Sequence, residues 1–431
     1  MCTNGLCDIP LLFSSEILLA ILARLKDEFS FIKGNILINT VSLMLILIAA
    51  AIPYTYYPKY IEGLGGDAYI LGIISLVSNI ALALVQFPGG YLADRHGRRT
   101  LIYTMTFAFS VTYFLFAIAP NWQFFMIVSV IQSTFLIYRP ALQALVSDSS
   151  PPEKRGLSFS IINLLHYVSF PSPLIAGILL VNFGLVPAMR IAYMALTGAF
   201  FVAAILRMRF KETVEETKEG ISITETFKNF PTSVMESMRT LKNSSRPTLS
   251  LVTTFAIYNF AWFTCSVYMI LYATDPDILN IGDFNWALLM TWYSIVNMVS
   301  ALPCGKIIDK FGRKKPLIVA WLLFIPAMIG FVYGTFIILA ACYLLLGVAL
   351  ILTNTAYPAL LADLVSRDKR GKIIGSTNFF FIILNGLGGF VGGYMYTYVS
   401  PSLPFFLAAV LFVPCIVITI FKVHEPTNRE V

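Results

Sequence analysis

Residues 88–99 read Pro88-Gly89-Gly90-Tyr91-Leu92-Ala93-Asp94-Arg95-His96-Gly97-Arg98-Arg99, and residues 303–314 read Pro303-Cys304-Gly305-Lys306-Ile307-Ile308-Asp309-Lys310-Phe311-Gly312-Arg313-Lys314. Each residue of the second stretch stands 215 places after its partner in the first. At the same offset Asp148 meets Asp363, Lys154-Arg155-Gly156 meets Lys369-Arg370-Gly371, Asn163 meets Asn378 and Gly177 meets Gly392. An ungapped offset held over so long a stretch marks a duplicated unit.

Outward from these two turns the chain is a series of long apolar runs. A helix needs about 20 mostly apolar residues to cross a bilayer, because hydrocarbon cannot satisfy exposed backbone groups. Twelve segments meet that criterion: 36–58, 69–91, 101–119, 122–146, 158–182, 187–206, 249–272, 285–307, 317–334, 336–361, 373–398 and 402–421. None alternates as an outer-membrane strand does. The composition agrees, with 58% hydrophobic and only 12% charged residues among 431. Soluble domains carry about 25% charged residues, so a soluble multidomain enzyme is excluded, and so is disorder. The net charge of +7 is spread between apolar runs rather than along one face, so no nucleic-acid partner is expected.

The basic residues test the span count. With the N-terminus on the cytoplasmic side, 27 of the 30 fall in segments facing the cytoplasm; Lys59 and Arg190 fall outside and Arg139 falls within a span. That asymmetry is the positive-inside rule, and a wrong count would scramble it. The expected organisation is a cytoplasmic segment at 1–35, a six-helix half at 36–206, a cytoplasmic central loop at 207–248, a second six-helix half at 249–421 and a cytoplasmic tail at 422–431. The first residues lack the basic region of a secretory signal and read as a surface-lying segment.

The pattern G-x-L-A-D-R-x-G-R-R at Gly90–Arg99, echoed at Gly305–Lys314, resembles the signature loop of the major facilitator superfamily. Twelve spans in a 6+6 repeat with a longer central loop extend the resemblance over nearly the whole chain. It implies an all-α polytopic membrane protein with two pseudo-symmetric halves related by an axis along the bilayer normal. It also implies a secondary transporter that works by rocking the halves, in the cytoplasmic membrane with both termini inside. Gly90 and Gly305 would let a helix of the opposite half approach closely. Asp94, Arg98 and Asp148 are spaced to form one charge cluster, with Asp309, Arg313 and Asp363 as counterparts. Arg95, Gly97, Arg155, Gly312 and Arg370 complete the expected gating set. The plainer reading of the basic residues is that they fix topology and solvate turns.

Positions where the halves differ are better places to seek a substrate site, because an asymmetric solute need not be read symmetrically. Arg139 corresponds to Asn354 and His166 to Phe381. Arg139 is the only basic residue read in the interior of a span, about 12 Å from the cytoplasmic end by helical rise. None of the 23 acids lies inside a span to pair with it. A charge at that depth normally faces a bundle interior or a watery cavity. Two readings stand. Arg139 binds an anionic group while His166 supplies a hydrogen bond or proton site, or Arg139 snorkels or caps the Leu136 carbonyl freed by Pro140 while His166 is a neutral core histidine. Asn163 and Asn378 are further candidates. The resemblance makes spans 1, 4, 7 and 10 the cavity walls, which adds Tyr258, Asn259 and Asn354. The aromatics Tyr54, Tyr57, Trp262, Tyr268, Trp286, Trp292 and Tyr293 read as an interfacial belt or as packing.

No G-x-x-x-x-G-K-[ST] loop occurs, so the energy for transport must come from an ion gradient or from the solute's own gradient. Many proton-coupled members of the family carry an embedded Asp or Glu and this chain has none, so uniport, exchange and a coupling proton or ion, with His166 as the proton site, all stand open. His96, His166 and His424 have no acid neighbour within a span, so no catalytic residues are expected. The six cysteines form neither a disulfide framework nor a zinc site, and no metal or cofactor is expected. The expected function is export of a small amphipathic compound or metabolite by a monomer in the lipid bilayer, with uptake of an organic anion or sugar-like solute as the alternative. A membrane-embedded enzyme or a receptor is disfavoured.

Overall fold

The computed structural model describes residues 31–95, 97–151, 169–213 and 238–425, with positions 162, 165, 232 and 235; at 86–95, 367–369 and 372 it describes the backbone. Within these residues the first half holds α1 Asn35–Tyr54, α2 Tyr57–Gly63, α3 Ala68–Arg95, α4 Arg98–Ala117, α5 Trp122–Phe135, α6 Arg139–Ser149, α7 Ser172–Phe183 and α8 Leu185–Arg207. The second half holds α9 Arg246–Cys265, α10 Met269–Thr274, α11 Asp283–Phe311, α12 Lys314–Val332, α13 Phe336–Leu364, α14 Arg367–Tyr398 and α15 Leu403–Lys422. Eleven helical stretches are long and apolar enough to cross a membrane, and α7 is a shorter apolar helix. The beginning of the fifth expected span lies outside the described residues. The other eleven spans match within a few residues.

Local sequence explains several ends. Asn121 caps α5 by accepting the Phe124 amide at 2.9 Å. Gly97 and Gly312 precede α4 and α12 with φ of +79° and +84°, a left-handed backbone that glycine adopts without steric cost. The helices also contain breaks that hydropathy does not reveal. The first membrane helix of each half changes course near its outer end, at Thr55–Tyr56 after Pro53 and at the 3-10 turn Ser266–Tyr268. A second 3-10 turn, Leu136–Tyr138, divides α5 from α6 just before Pro140. Its counterpart in the second half does not break: α13 runs unbroken through Pro358.

Each half packs around aromatic rings. In the first, Phe109, Tyr113, Phe116, Phe125, Tyr193 and Phe200 interlock, with Phe116 and Phe125 stacked at 4.2 Å. In the second, Tyr258, Trp321, Phe324 and Phe412 do so, with Phe324 and Phe412 stacked at 4.6 Å. Such offset pairs add to the burial of their area.

The halves meet along α3 against α14 and α7 against α11. The α14 sequence Gly386–Gly393 carries two glycine stripes. Gly386, Gly389 and Gly393 face Asn79, Ser75 and Ala68 of α3, while Gly388 and Gly392 lie against the backbone of α9. On the other seam a Cβ added at Gly177 would lie 2.5 Å from the Ala287 side chain. Small residues let helix backbones approach closely where lipid supplies no hydrophobic drive. All these close contacts lie in the half of the bundle away from the basic loops. At the basic-loop end, a Cβ at Gly305, Gly371 or Gly375 would meet no described residue within 4 Å.

One basic residue is placed differently from the sequence reading. Arg207, expected to open the central loop, is the last residue of α8 and is 1% exposed. Its guanidinium donates to Ser42 Oγ at 3.2 Å and Thr106 Oγ1 at 2.9 Å, and lies over the Tyr138 ring. Arg139 is therefore not the only cation inside the first half.

Candidate functional site

Two adjoining cavities occupy the middle of the molecule. The larger, about 640 Å³, lies within the first half between α1, α4, α5 and α8; its walls include Tyr54, Tyr57, Tyr113, Gln132, Arg139 and Tyr193. The smaller, about 330 Å³, lies between the halves and is bounded by Thr55, Trp262, Ser266, Trp286, Tyr293 and Tyr343 among others. Ala51, Tyr54, Tyr57 and Ser169 line both. Tyr54, Tyr57, Trp262, Trp286 and Tyr293, read from the sequence as an interfacial belt or as packing, line these cavities. An apolar hollow with a few polar groups suits an organic solute of modest size.

Arg139 is brought to this cavity by the 3-10 turn before it, and its side chain is exposed there. The remaining substrate candidates are not gathered with it. Tyr258 is 5% exposed, packed among Trp321, Phe324 and Phe412, and lines neither cavity. Asn259 donates to the Phe255 carbonyl at 2.7 Å within its own helix. Asn354 and Asn378 are exposed but border neither hollow. His166 and Asn163 lie outside the described residues.

The end of the cavities away from the basic loops is closed by bonds from half to half. Tyr56 OH donates to the Asp283 carbonyl at 2.6 Å, Trp286 Nε1 donates to the Thr55 carbonyl at 3.2 Å, and Lys59 pairs with the Asp283 carboxylate. Tyr69 packs against Phe390, Tyr394 and Tyr398 of α14. Among the described residues, no hydrogen bond or ion pair joins the halves at the basic-loop end.

That end instead carries two matching frames, one in each half. Arg98, 9% exposed, pairs with Asp148 and donates to Thr213 Oγ1 at 3.2 Å. Arg313 pairs with Asp363 at 3.3 Å. The cluster expected from Asp94, Arg98 and Asp148 is thus realised for its last two members. Asp309 is exposed and makes no ion pair or hydrogen bond with a described residue. Arg370 donates to the Ala362 and Val365 carbonyls, closing the end of α13. The surroundings of Gly90, the side chains of Asp94 and Arg95, and all of Arg155 lie outside the described set.

Each frame also holds an acid that the offset did not reveal. Glu212 accepts the Arg98 and Arg99 amides at 3.2 and 3.0 Å, and Glu425 accepts those of Arg313 and Lys314. A carboxylate on free N–H groups at a helix start is favoured by the bonds and by the helix dipole. Both acids follow the last helix of their half, but they stand 213 residues apart rather than 215.

Comparison with known proteins places this geometry. The family model described as Major Facilitator Superfamily matches residues 40–279 and 276–431. The multi-drug resistance efflux pump PmrA of Streptococcus pneumoniae is 25% identical over 270 residues, 62% of this chain and 64% of that protein, just under two thirds of its length. The multidrug resistance protein MdtG of Enterobacter lignolyticus is 24% identical over 307 residues, 69% of this chain and 70% of that protein. Among solved structures, the nucleoside transporter NupG superposes with a TM-score of 0.68 at 15% identity, over 90% of this chain and 98% of that one. That last likeness is one of fold.

Proposed function

This chain belongs to the major facilitator superfamily, and from that premise we propose that it is a secondary carrier exporting small amphipathic organic compounds by alternating access. The observation that carries the reading is the central pair of cavities, bonded shut between the halves at one end and without a described bond between the halves at the other. For the carrier to turn over, the contacts of Asp283 with Tyr56 and Lys59 must part, and α3 must separate from the glycine stripe of α14. At the basic-loop end the two halves must come together as the other end opens. Such a motion is rigid-body rocking of two repeats around a fixed site. The Arg98–Asp148 and Arg313–Asp363 pairs each lie within one half, so they keep the moving ends stiff through the cycle. Gly90, Asp94, Arg95, Gly97, Arg155, Gly305, Asp309, Gly312 and Arg370 belong in this reading to the surface on which those ends meet.

The relatives named as efflux pumps favour export, and the aromatic walls favour amphipathic cargo. The chain is a multi-pass membrane protein. The distribution of basic loops supports a reading in which both termini lie in the cytoplasm of a plasma membrane and the carrier acts as a monomer with its basic-loop end inward. Purified protein reconstituted in liposomes with a panel of aromatic solutes tests the function. Solute movement above that of empty liposomes is expected, and none across the whole panel would refute the reading.

A further inference from the structure

We propose that the carrier selects organic anions, with Arg139 as the group that binds the negative end of an amphipathic aromatic solute; this rests on the transporter reading above. The argument begins with what Arg139 is not doing. Its guanidinium makes no hydrogen bond or ion pair with any described residue. The Leu136 carbonyl, which Pro140 leaves available, is taken by the backbone amide of Arg139 itself. The side chain is neither a cap nor half of a salt bridge, and it stands exposed on the wall of a hollow of about 640 Å³.

The second step is the charge around it. Among the described residues lining the two cavities there is one cation, Arg139, and no carboxylate. The sequence from Gly156 to Lys211, which includes the part of the fifth span not described, contains no Asp or Glu either. The other cation inside this half, Arg207, is satisfied by the hydroxyls of Ser42 and Thr106 and so neutralises nothing. A guanidinium exposed on a cavity wall that carries no carboxylate has its charge free to pair with an anionic solute. Guanidinium suits this work because its planar fork matches carboxylate and sulfonate oxygens in pairs.

The remaining wall fixes the rest of the ligand. Tyr57, Tyr113, Phe116, Phe125 and Tyr193 surround the same space with rings, and Gln132 adds an amide. An aromatic body therefore lies against rings while its charged end reaches Arg139. A cationic amphiphile, by contrast, meets a like charge with no acid to offset it, so the cavity excludes it. The excess of basic residues in the loops at one end of the bundle favours anions over cations in the same sense.

The experiment uses the full chain in liposomes with the membrane potential clamped. Three probes share one naphthalene skeleton: a sulfonate, the uncharged parent and a quaternary ammonium. The sulfonate is expected to be moved at least about tenfold more efficiently than the ammonium. Arg139→Gln is expected to raise the KM for the sulfonate about 10- to 100-fold while that for the uncharged parent stays within about twofold. Arg139→Lys should retain the preference for the anion, and Arg139→Glu should turn it toward the cation. Equal handling of sulfonate and ammonium by the wild type overturns the proposal while leaving the transporter reading standing. So does an unchanged sulfonate KM in Arg139→Gln. Failure to move any of the three, or any solute of a wider panel, overturns both. The wild-type ratio of sulfonate to ammonium needs no variant, so a misfolded Arg139→Gln does not shield the idea.

Discussion

At one offset of 215 residues the two halves place different chemistry at the same points of the fold. In the first, Arg207 lies 1% exposed and donates to Ser42 and Thr106 beside the Tyr138 ring. In the second, the matching positions are Lys422, Ile257, Trp321 and Thr353. Lys422 is exposed, and Trp321 fills the interior and donates to Thr419 Oγ1 at 3.3 Å. The same contrast recurs deeper in the bundle. Helices α5 and α6 break at Leu136–Tyr138 and aim Arg139 at a cavity, whereas α13 runs straight past Asn354. At the basic-loop ends the halves agree, each with an Arg–Asp pair and a glutamate on the following helix start. The duplicated unit has kept its symmetry at the basic-loop ends and has lost it around the cavity of the first half.

The largest expected effect comes from a matched pair of glycines. A Cβ at Gly392 would lie 2.0 Å from the Thr264 carbonyl oxygen, a backbone atom that cannot yield. At Gly177 the obstacle is the Ala287 Cβ at 2.5 Å, which a second substitution can remove. Gly392→Ala is expected to cost about 3 kcal/mol or more, and Gly177→Ala about 1–3 kcal/mol, the latter restored by Ala287→Gly. Thermal unfolding in detergent reads both. A Gly392→Ala protein with the wild-type Tm would erase this difference between the two positions.

Next comes the buried cation. Truncating Arg207 removes a fully packed stem and its hydrogen bonds, so Arg207→Ala should lose about 2–3 kcal/mol. Lys422→Ala, at the matched but exposed site, should stay within about 0.5 kcal/mol. Equal losses would mean that the halves are more alike inside than their residues suggest. For the Arg–Asp frames at the basic-loop ends the comparison is one of rate. The Arg313–Asp363 pair has both side chains 20% exposed, whereas Asp148 is 45% exposed. Asp363→Asn should therefore slow transport by about tenfold and Asp148→Asn by less, because water screens the more open pair. Transport assays on protein of unchanged stability decide it, and a larger effect at Asp148 would reverse the ranking.

Much of this was legible in the residues. Hydropathy finds long apolar helices because the bilayer admits few alternatives, and the duplicated turns announce the two halves before any contact is known. Arg139 could be singled out because a lone charge at bilayer depth is rare. Faces were harder. When a helix is apolar all round, its periodicity does not say which side meets a cavity, and Tyr258 accordingly went to the core of its half. Arg207 was misplaced because a basic residue at the end of an apolar run reads equally as the first residue of a loop. The bonds of Asp283 to Tyr56 and Lys59 join residues more than 220 positions apart, which no local pattern encodes.

The smallest expected effect concerns the two acids that the offset did not reveal. Glu212 uses both carboxylate oxygens, one for the Arg98 amide and one for the Arg99 amide. Glu425 presents a single oxygen, Oε1, to both the Arg313 and Lys314 amides. An amide side chain keeps one acceptor oxygen and turns an N–H₂ group to where the other oxygen was. Glu212→Gln therefore loses one bond along with the charge at the start of α4, whereas Glu425→Gln can keep both bonds and loses only the charge. The first should cost about 1 kcal/mol and the second about 0.3–0.5 kcal/mol, the range for a helix cap and for a charge near a helix end. Raising ionic strength should weaken the wild-type advantage over Glu425→Gln more than its advantage over Glu212→Gln, since a charge is screened and a hydrogen bond is not. Identical costs and identical salt dependence in the two variants would show that the two frames, despite their different bonding, are held in the same way.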